Sequence, residues 1–350
     1  MQKIKLPESG PEPEDNDSGS TQEEVMKKSR SFIATALMLA LAGVPGAAVA
    51  QQKWPTKPIR MIVPFTPAAA SDVLGRLLAQ RLSELYGQQV VVDNRPGAGG
   101  LIGSELTRDA APDGYTIAMV GQPHLSNVLI REKKAYDPLK DFSAISFVAY
   151  THNIIVLGNG VNVKNIPELI ALAKASPGKL NYGSAGVGSS SHLAGALLTA
   201  KAGIDVVHVP FRSGPDSRIA LSSGTIQFYV YPLPAIMGIV KSGQLRALAV
   251  GGAKRAEALP DVPTAAEAGF PAYKSESWFG LIAPRNVPRA IVNKLNADTV
   301  KILQEEDTRK KFALQGALPG FGPPEHFAKL QADEYAELSA LIKQIGMKAQ

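Results

Sequence analysis

Residues 182–195 read YGSAGVGSSSHLAG. That density of hydroxyls and unhindered backbone invites three chemistries: a catalytic serine, a phosphate loop or an anion cradle. A nucleophile elbow needs G-x-S-x-G, and no register of the stretch supplies it. A Walker loop needs a lysine after its last glycine, and Gly188 is followed by Ser189. The cradle fits. Glycines expose successive N–H groups, the helix that follows points its positive end at the loop, and serine hydroxyls add rotatable donors. Ser184, Ala185, Gly186, Ser189 and Ser190 are therefore candidate contacts for an anion. His192 falls inside the first helical turn, where a packing or capping role competes with a ligand contact.

Two other turns stand where strands give way to helices. VDNRPGAGGLIG (92–103) occupies the place of a dinucleotide fingerprint, but G-x-G-x-x-G demands a glycine at position 102 and Ile102 stands there. It reads instead as a glycine-rich turn that starts a helix close to the sheet. VPFTPAAASD (63–72) ends the first strand, and ligands of open α/β sheets sit outside the carboxyl ends of strands. Phe65, Thr66, Pro67 and Ala68 are candidates there, while Ser71 and Asp72 suit either a helix N-terminus or a ligand. Gln122, His124 and Asn127, just after the strand 115–120, join the candidates. The histidines show no metal-ligand spacing and the chain has no cysteine, so no cofactor or metal is expected.

Strands and helices alternate around these turns. IRMIVPF (59–65) is a short apolar run of the buried parallel type. SDVLGRLLAQRLSELYG then repeats leucine at helical spacing and ends in Gly87. QVVVDN (89–94), a helix, and YTIAMV (115–120) complete a βαβαβ unit. The alternation resumes with HNIIVLG, LNYG, VVHVP (206–210), TIQFYV (225–230), LRALAV (245–250) and WFGLIAP (278–284), and the chain beyond 284 reads as helical only. One arrangement fits this order: an α/β lobe of residues 51–152 and 276–350, and a second lobe of residues 153–275 inserted into it. ISFVAYTHNIIVLG and ESWFGLIAP would be the crossing segments. Two lobes on two extended hinges make a cleft that can close on a ligand.

The first fifty residues stand apart. Residues 1–25 are polar and acidic, and read as a mis-called start or non-native extension. Residues 26–50 carry a basic start (Lys27, Lys28, Arg30), an apolar run over 32–42 and the small-residue site Ala48-Val49-Ala50, the pattern of a signal peptide cleaved near Ala50. The apolar run falls short of the roughly 20 residues a membrane span needs. Without cysteine there is no site for a lipid anchor, so the product is expected to be soluble outside the cytoplasmic membrane. These fifty residues hold five Lys/Arg and seven Asp/Glu, leaving 32 basic and 24 acidic residues in the rest. That balance favours small anionic ligands. No basic block is long enough for nucleic acid; REKKAYD (131–137) reads as a solvated loop.

The run KPIRMIVPFTP…SD, VVVDNRPGAGGLIG, APDGYT, YDPLKDF, LNYGSAGVGSSSHLAG, VVHVPF, ALPDVPTAAEAGF and SWFGLIAP resembles the periplasmic receptors of tripartite tricarboxylate transporters, also called Bug proteins, in order from about residue 54 to the C-terminus. The resemblance implies an α/β, two-lobed periplasmic-binding-protein (Venus flytrap) fold. Each lobe would be a mostly parallel sheet flanked by helices, and two crossing strands would join them. It implies a monomer that holds a carboxylate-bearing organic acid between its lobes and delivers it to a two-component membrane permease, without catalysis. A sensor that presents its bound state to a signalling partner is the alternative.

Three departures from the family pattern bear on the ligand. Pro67-Ala68-Ala69 stands where P-G-G is usual, and alanine restricts both backbone approach and positive φ. Tyr231 stands where an aspartate is common, so a ligand ammonium loses its counter-ion. Phe211-Arg212-Ser213 replaces Y-K-G; Arg212 either pairs with a second carboxylate or lies solvated on the surface.

Overall fold

β1 (Ile59–Val63) buries Ile59, Met61, Ile62 and Val63 completely, as a strand covered on both faces must. A computed structural model of the chain describes residues 54–348; the expected signal segment, its expected cleavage site and the tail before it lie outside the described residues. α1 (Ala70–Tyr86) follows β1 and buries Leu74, Leu78 and Leu82 on one face. It stops at Gly87, whose φ of 62° makes the left-handed turn that glycine adopts without steric cost. β2 (Val90–Asn94) pairs in parallel with β1. A 3-10 turn at Ala98–Gly100 leads into α2 (Leu101–Arg108), and β3 (Thr116–Gly121) returns in parallel on the other side of β1. The short α3 (Pro123–Leu129) comes next.

β4 (Phe142–Leu157) is sixteen residues long and serves two sheets. Its last five residues lie in the second sheet, built with α4 (Ile166–Ala175), β5 (Asn181–Ser184), α5 (Ser190–Ala202), β6 (Val207–Pro210), α6 (Gly214–Ser222), β7 (Phe228–Pro232), α7 (Met237–Lys241) and β8 (Arg246–Val250). There β5 is parallel to β6 and β7, while β4 runs antiparallel to β7 and β8. β9 (Glu276–Pro284) returns to the first sheet between β3 and β4, antiparallel to both. α8 (Arg289–Gln304), α9 (Glu306–Leu314), β10 (Ala317–Pro319) and α10 (Pro324–Gln344) finish the chain. Separate apolar cores support the two sheets: Leu74, Ile117, Leu281 and Leu295 belong to one, Ile155, Leu169, Leu198 and Phe228 to the other.

The structure departs from the sequence reading at three points. Both sheets are mixed rather than mostly parallel, because β4, which serves both, and β9 in the first run antiparallel to their neighbours. The chain beyond 284 is not helical only: β10 pairs with residues 149–151 of β4, and three residues are too few to show a strand period. The pairings of β9 stay within the first sheet, so the return crossing falls at Ser275 instead. There the Ser275 N–H donates to the Gly251 carbonyl (3.0 Å) and its carbonyl accepts from the Asn153 N–H (3.1 Å). The buried Asn153 side chain completes the knot, donating to Ser275 Oγ (2.8 Å) and accepting from Ser277 Oγ (2.9 Å).

Candidate functional site

A cavity of about 620 Å³ lies where strands of both sheets present their carboxyl ends. From the first sheet it takes residues 65–66 and 68–71, residues 96–100 and residues 121–123. The second sheet contributes residues 185–187 and 189–191, residues 210–214, Tyr229 and Tyr231, and β9 adds Ser277, Trp278 and Phe279.

Two helix N-termini open onto this space, α1 from one sheet and α5 from the other. The first amides of a helix have no intrahelical acceptor. The N–H groups of Ala70 and Ser71 on α1, and of Ser190 and Ser191 on α5, have none elsewhere among the described residues. Ser71 is only 3% exposed, and its hydroxyl is buried without a partner. A buried, unpaired donor is costly unless something fills the role.

The hydroxyls of the second sheet form a directed chain. Tyr229 O–H donates to Ser191 Oγ (3.0 Å), and the Ala185 N–H donates to the same oxygen (3.0 Å). Both lone pairs of Ser191 are then used, so its own proton goes to Ser189 Oγ at 3.1 Å. Ser189 also accepts from the His192 N–H as the N-cap of α5. Its proton is left over for the cavity. Tyr231 ends differently. Ser217 spends its proton on the Gly214 carbonyl (2.7 Å), so Tyr231 must donate to Ser217 (2.8 Å) and turns only lone pairs to a ligand. The two tyrosine rings stack at 3.7 Å. Burial pushes the Tyr229 hydroxyl up to about 12 and Tyr231 well above its ordinary value, so both stay protonated.

The charge in the walls has one sign. Arg131, Arg212 and Arg218 line the cavity, and no Asp or Glu among the described residues does. Phe65, Phe211, Trp278 and Phe279 supply apolar surface between them.

Residues 74–347 match the model of the tripartite tricarboxylate transporter family receptor. This chain belongs to that family. The receptor is similar, at 34% identity and a TM-score of 0.81, to an R. palustris protein solved with adipate; the match covers 84% of this chain and 99% of that one. It is similar to MatC of Rhodopseudomonas palustris, solved with bound malate, at 28% identity and 0.78 over 83% and 100% of the two chains. It is also similar to the periplasmic binding protein BugD, at 27% identity and 0.80 over 85% and 100%. The two-lobed periplasmic-binding fold of these proteins is the fold of this receptor.

Of the residues singled out from sequence, the receptor brings Phe65, Thr66, Ala68, Ser71, Gln122, Ala185, Gly186, Ser189, Ser190, Arg212 and Tyr231 to the cavity wall. It leaves six outside. Pro67 turns out to solvent. Asp72 is buried in a structural network, accepting from Ala68 N–H, the Arg76 guanidinium and Asn94 Nδ2. His124 packs between Tyr136 and Phe142, and burial lowers it to about 3. Asn127 donates to the carbonyls of Gly99 and Pro123. Ser184 Oγ pairs with His208 Nε2 at 2.7 Å. His192 stacks on His208 at 3.8 Å and accepts the Gly188 N–H on Nδ1, which places it in packing behind the cavity wall; burial, then the neighbouring His208, lower it to about 3.

Sequence reasoning passed over Arg131, Arg218, Trp278 and the 97–100 turn. The signal for Arg218 was present: it lies one helical turn into the helix that follows the strand VVHVP. Arg131 opens REKKAYD, and only residues 132–134 of that cluster are fully solvated. Ala68 also adopts the conformation that alanine was expected to resist, with φ of 65°. The turn survives the loss of glycine because the Ala68 N–H is held by Asp72 Oδ2 at 2.9 Å.

Proposed function

We propose that this receptor captures a small organic acid in the periplasm and passes it to a two-component membrane permease, with no catalytic step. The ligand's carboxylate lies between the N-termini of α1 and α5. Four free amides, the orphan Ser71 hydroxyl and the spare Ser189 proton converge on one cavity, and that convergence is the observation that carries the reading. Helix N-termini bind anions through the dipole and the unpaired N–H groups together. The similarity to proteins solved with adipate and malate supports the same class of ligand.

On this reading the lobes are residues 51–152 with 276–350, and residues 153–275, closing about the Asn153–Ser275 crossing. The chain acts as a monomer. Acids without an amino group are preferred, because no carboxylate among the described cavity residues can neutralise an ammonium and three guanidinium groups would repel one.

A thermal-shift screen over organic acids, their amides and their α-amino analogues tests this. A ligand at 100 times its dissociation constant stabilises by about 2.7 kcal/mol. At least one acid should raise the melting temperature, with its amide inert and its amino analogue weaker. Stabilisation by amides or sugars but by no acid would overturn the reading.

A further inference from the structure

The arginines of the cavity differ from those around it. Arg60 on β1, Arg76 on α1 and Arg95 just after β2 each sit on an aspartate. Arg131, Arg212 and Arg218 have no carboxylate partner among the described residues. Arg131 reaches one distant carbonyl, that of Ala98, at 3.5 Å. A guanidinium carries five donors in a planar fork and stays charged, so a cavity walled by three without carboxylate partners, Arg131 and Arg218 half-buried and Arg212 exposed at its rim, suits an anion. The carboxylate already assigned to the helix N-termini uses the amides and serine hydroxyls. It leaves the guanidinium groups unspent.

The three come from both sides of the cavity. Arg131 follows α3 of the first sheet, whereas Arg212 and Arg218 flank the start of α6 in the second. The 97–100 turn that Arg131 reaches and the residue before Arg212 meet at Gly186: a Cβ there would stand 3.6 Å from the Gly99 amide nitrogen and 3.8 Å from the Phe211 carbonyl oxygen. Arg218 is half-buried where Arg212 is exposed, on the helix that also carries Ser217, the partner of the Tyr231 hydroxyl.

We infer that Arg131, Arg212 and Arg218 form a second anionic subsite, so that the ligand carries a further carboxylate and the matched monocarboxylates bind more weakly. The inference rests on the carboxylate-receptor reading above and adds the residues that set selectivity within it. Because the subsite draws on both sheets, its occupant ties the lobes together, and Arg131 links recognition of the second charge to closure.

Titration calorimetry on matched pairs tests it: succinate against butyrate, adipate against hexanoate, terephthalate against benzoate. For at least one pair the parent protein should bind the dicarboxylate more than about tenfold tighter than its monocarboxylate. Arg131→Gln and Arg218→Gln should each weaken the dicarboxylate by about tenfold and leave the monocarboxylate within about twofold, which also shows that the variants are folded. Equal binding of the two members of every pair would overturn the subsite while leaving the carboxylate reading intact. So would variants that weaken both members alike. Binding of no acid at all would overturn both.

Discussion

Gly99 and Val187 touch across the two sheets. A Cβ built on Gly99 would overlap the Val187 carbonyl oxygen and stand 3.1 Å from its carbonyl carbon. The glycines of the 97–100 turn therefore serve more than the start of a helix. They let the 185–188 loop of the second sheet come down onto the first, where Ser126 Oγ donates to the Gly188 carbonyl at 3.0 Å.

Gly99→Ala should separate these loops. The residue has φ of 67°, so alanine meets both backbone strain and a clash. Gly203→Ala is the control, since Gly203 has φ of 59° with open space around its Cβ position. Strain alone costs about 1–2 kcal/mol, and overpacking adds about 1–3 kcal/mol at position 99. Urea midpoints of the two variants should show Gly99→Ala clearly the less stable. Equal losses would mean the loops do not meet.

Ala68→Gly should stabilise the receptor. The left-handed φ of Ala68 costs an L-residue energy that glycine avoids, and glycine's extra freedom when unfolded returns part of it. The net gain should be about 0.5–1 kcal/mol by urea denaturation. A destabilised variant would show that the turn relaxes to another conformation in solution.

Stability should fall in mild acid. Burial lowers His124 and His192 to about 3 and His208 to about 4, below the ordinary value near 6.5. Each is neutral when folded, so below pH 6.5 the unfolded chain binds the extra proton. The stabilisation is complete above pH 6.5 and drains away as pH falls toward 4 for His208 and toward 3 for His124 and His192, by at most about 1.4 kcal/mol per pH unit for a fully buried histidine. Melting temperatures at pH 7.5, 6 and 5 should decline steadily. Imidazole resonances of His124 and His192 titrating near pH 6.5 in the folded protein would contradict the burial.

Much of this was readable along the chain. The leucines of α1 and its glycine stop, the apolar strand before it, and the glycine- and serine-rich turn that opens α5 are local features, and local periodicity and turn chemistry reveal them. What escaped depends on distant partners. His192 packs because His208, sixteen positions on, slides beneath its ring. Asp72 is structural because Asn94 returns on the next strand to meet it. Arg131 and Arg218 share a cavity although 87 positions separate them, and no window of sequence holds both. β10 exists only because β4 is long enough to offer it an edge.

The central claim is that a carboxylate sits between the N-termini of α1 and α5. The most direct measurement is the amide nitrogen–proton spectrum of the receptor titrated with the tightest-binding organic acid from the screen. The amide protons of Ala70, Ser71, Ser190 and Ser191 should move downfield together as they begin to donate to a charged oxygen, and the matched amide compound should leave them in place. Saturable binding that shifts other resonances and leaves these four unmoved would contradict the account.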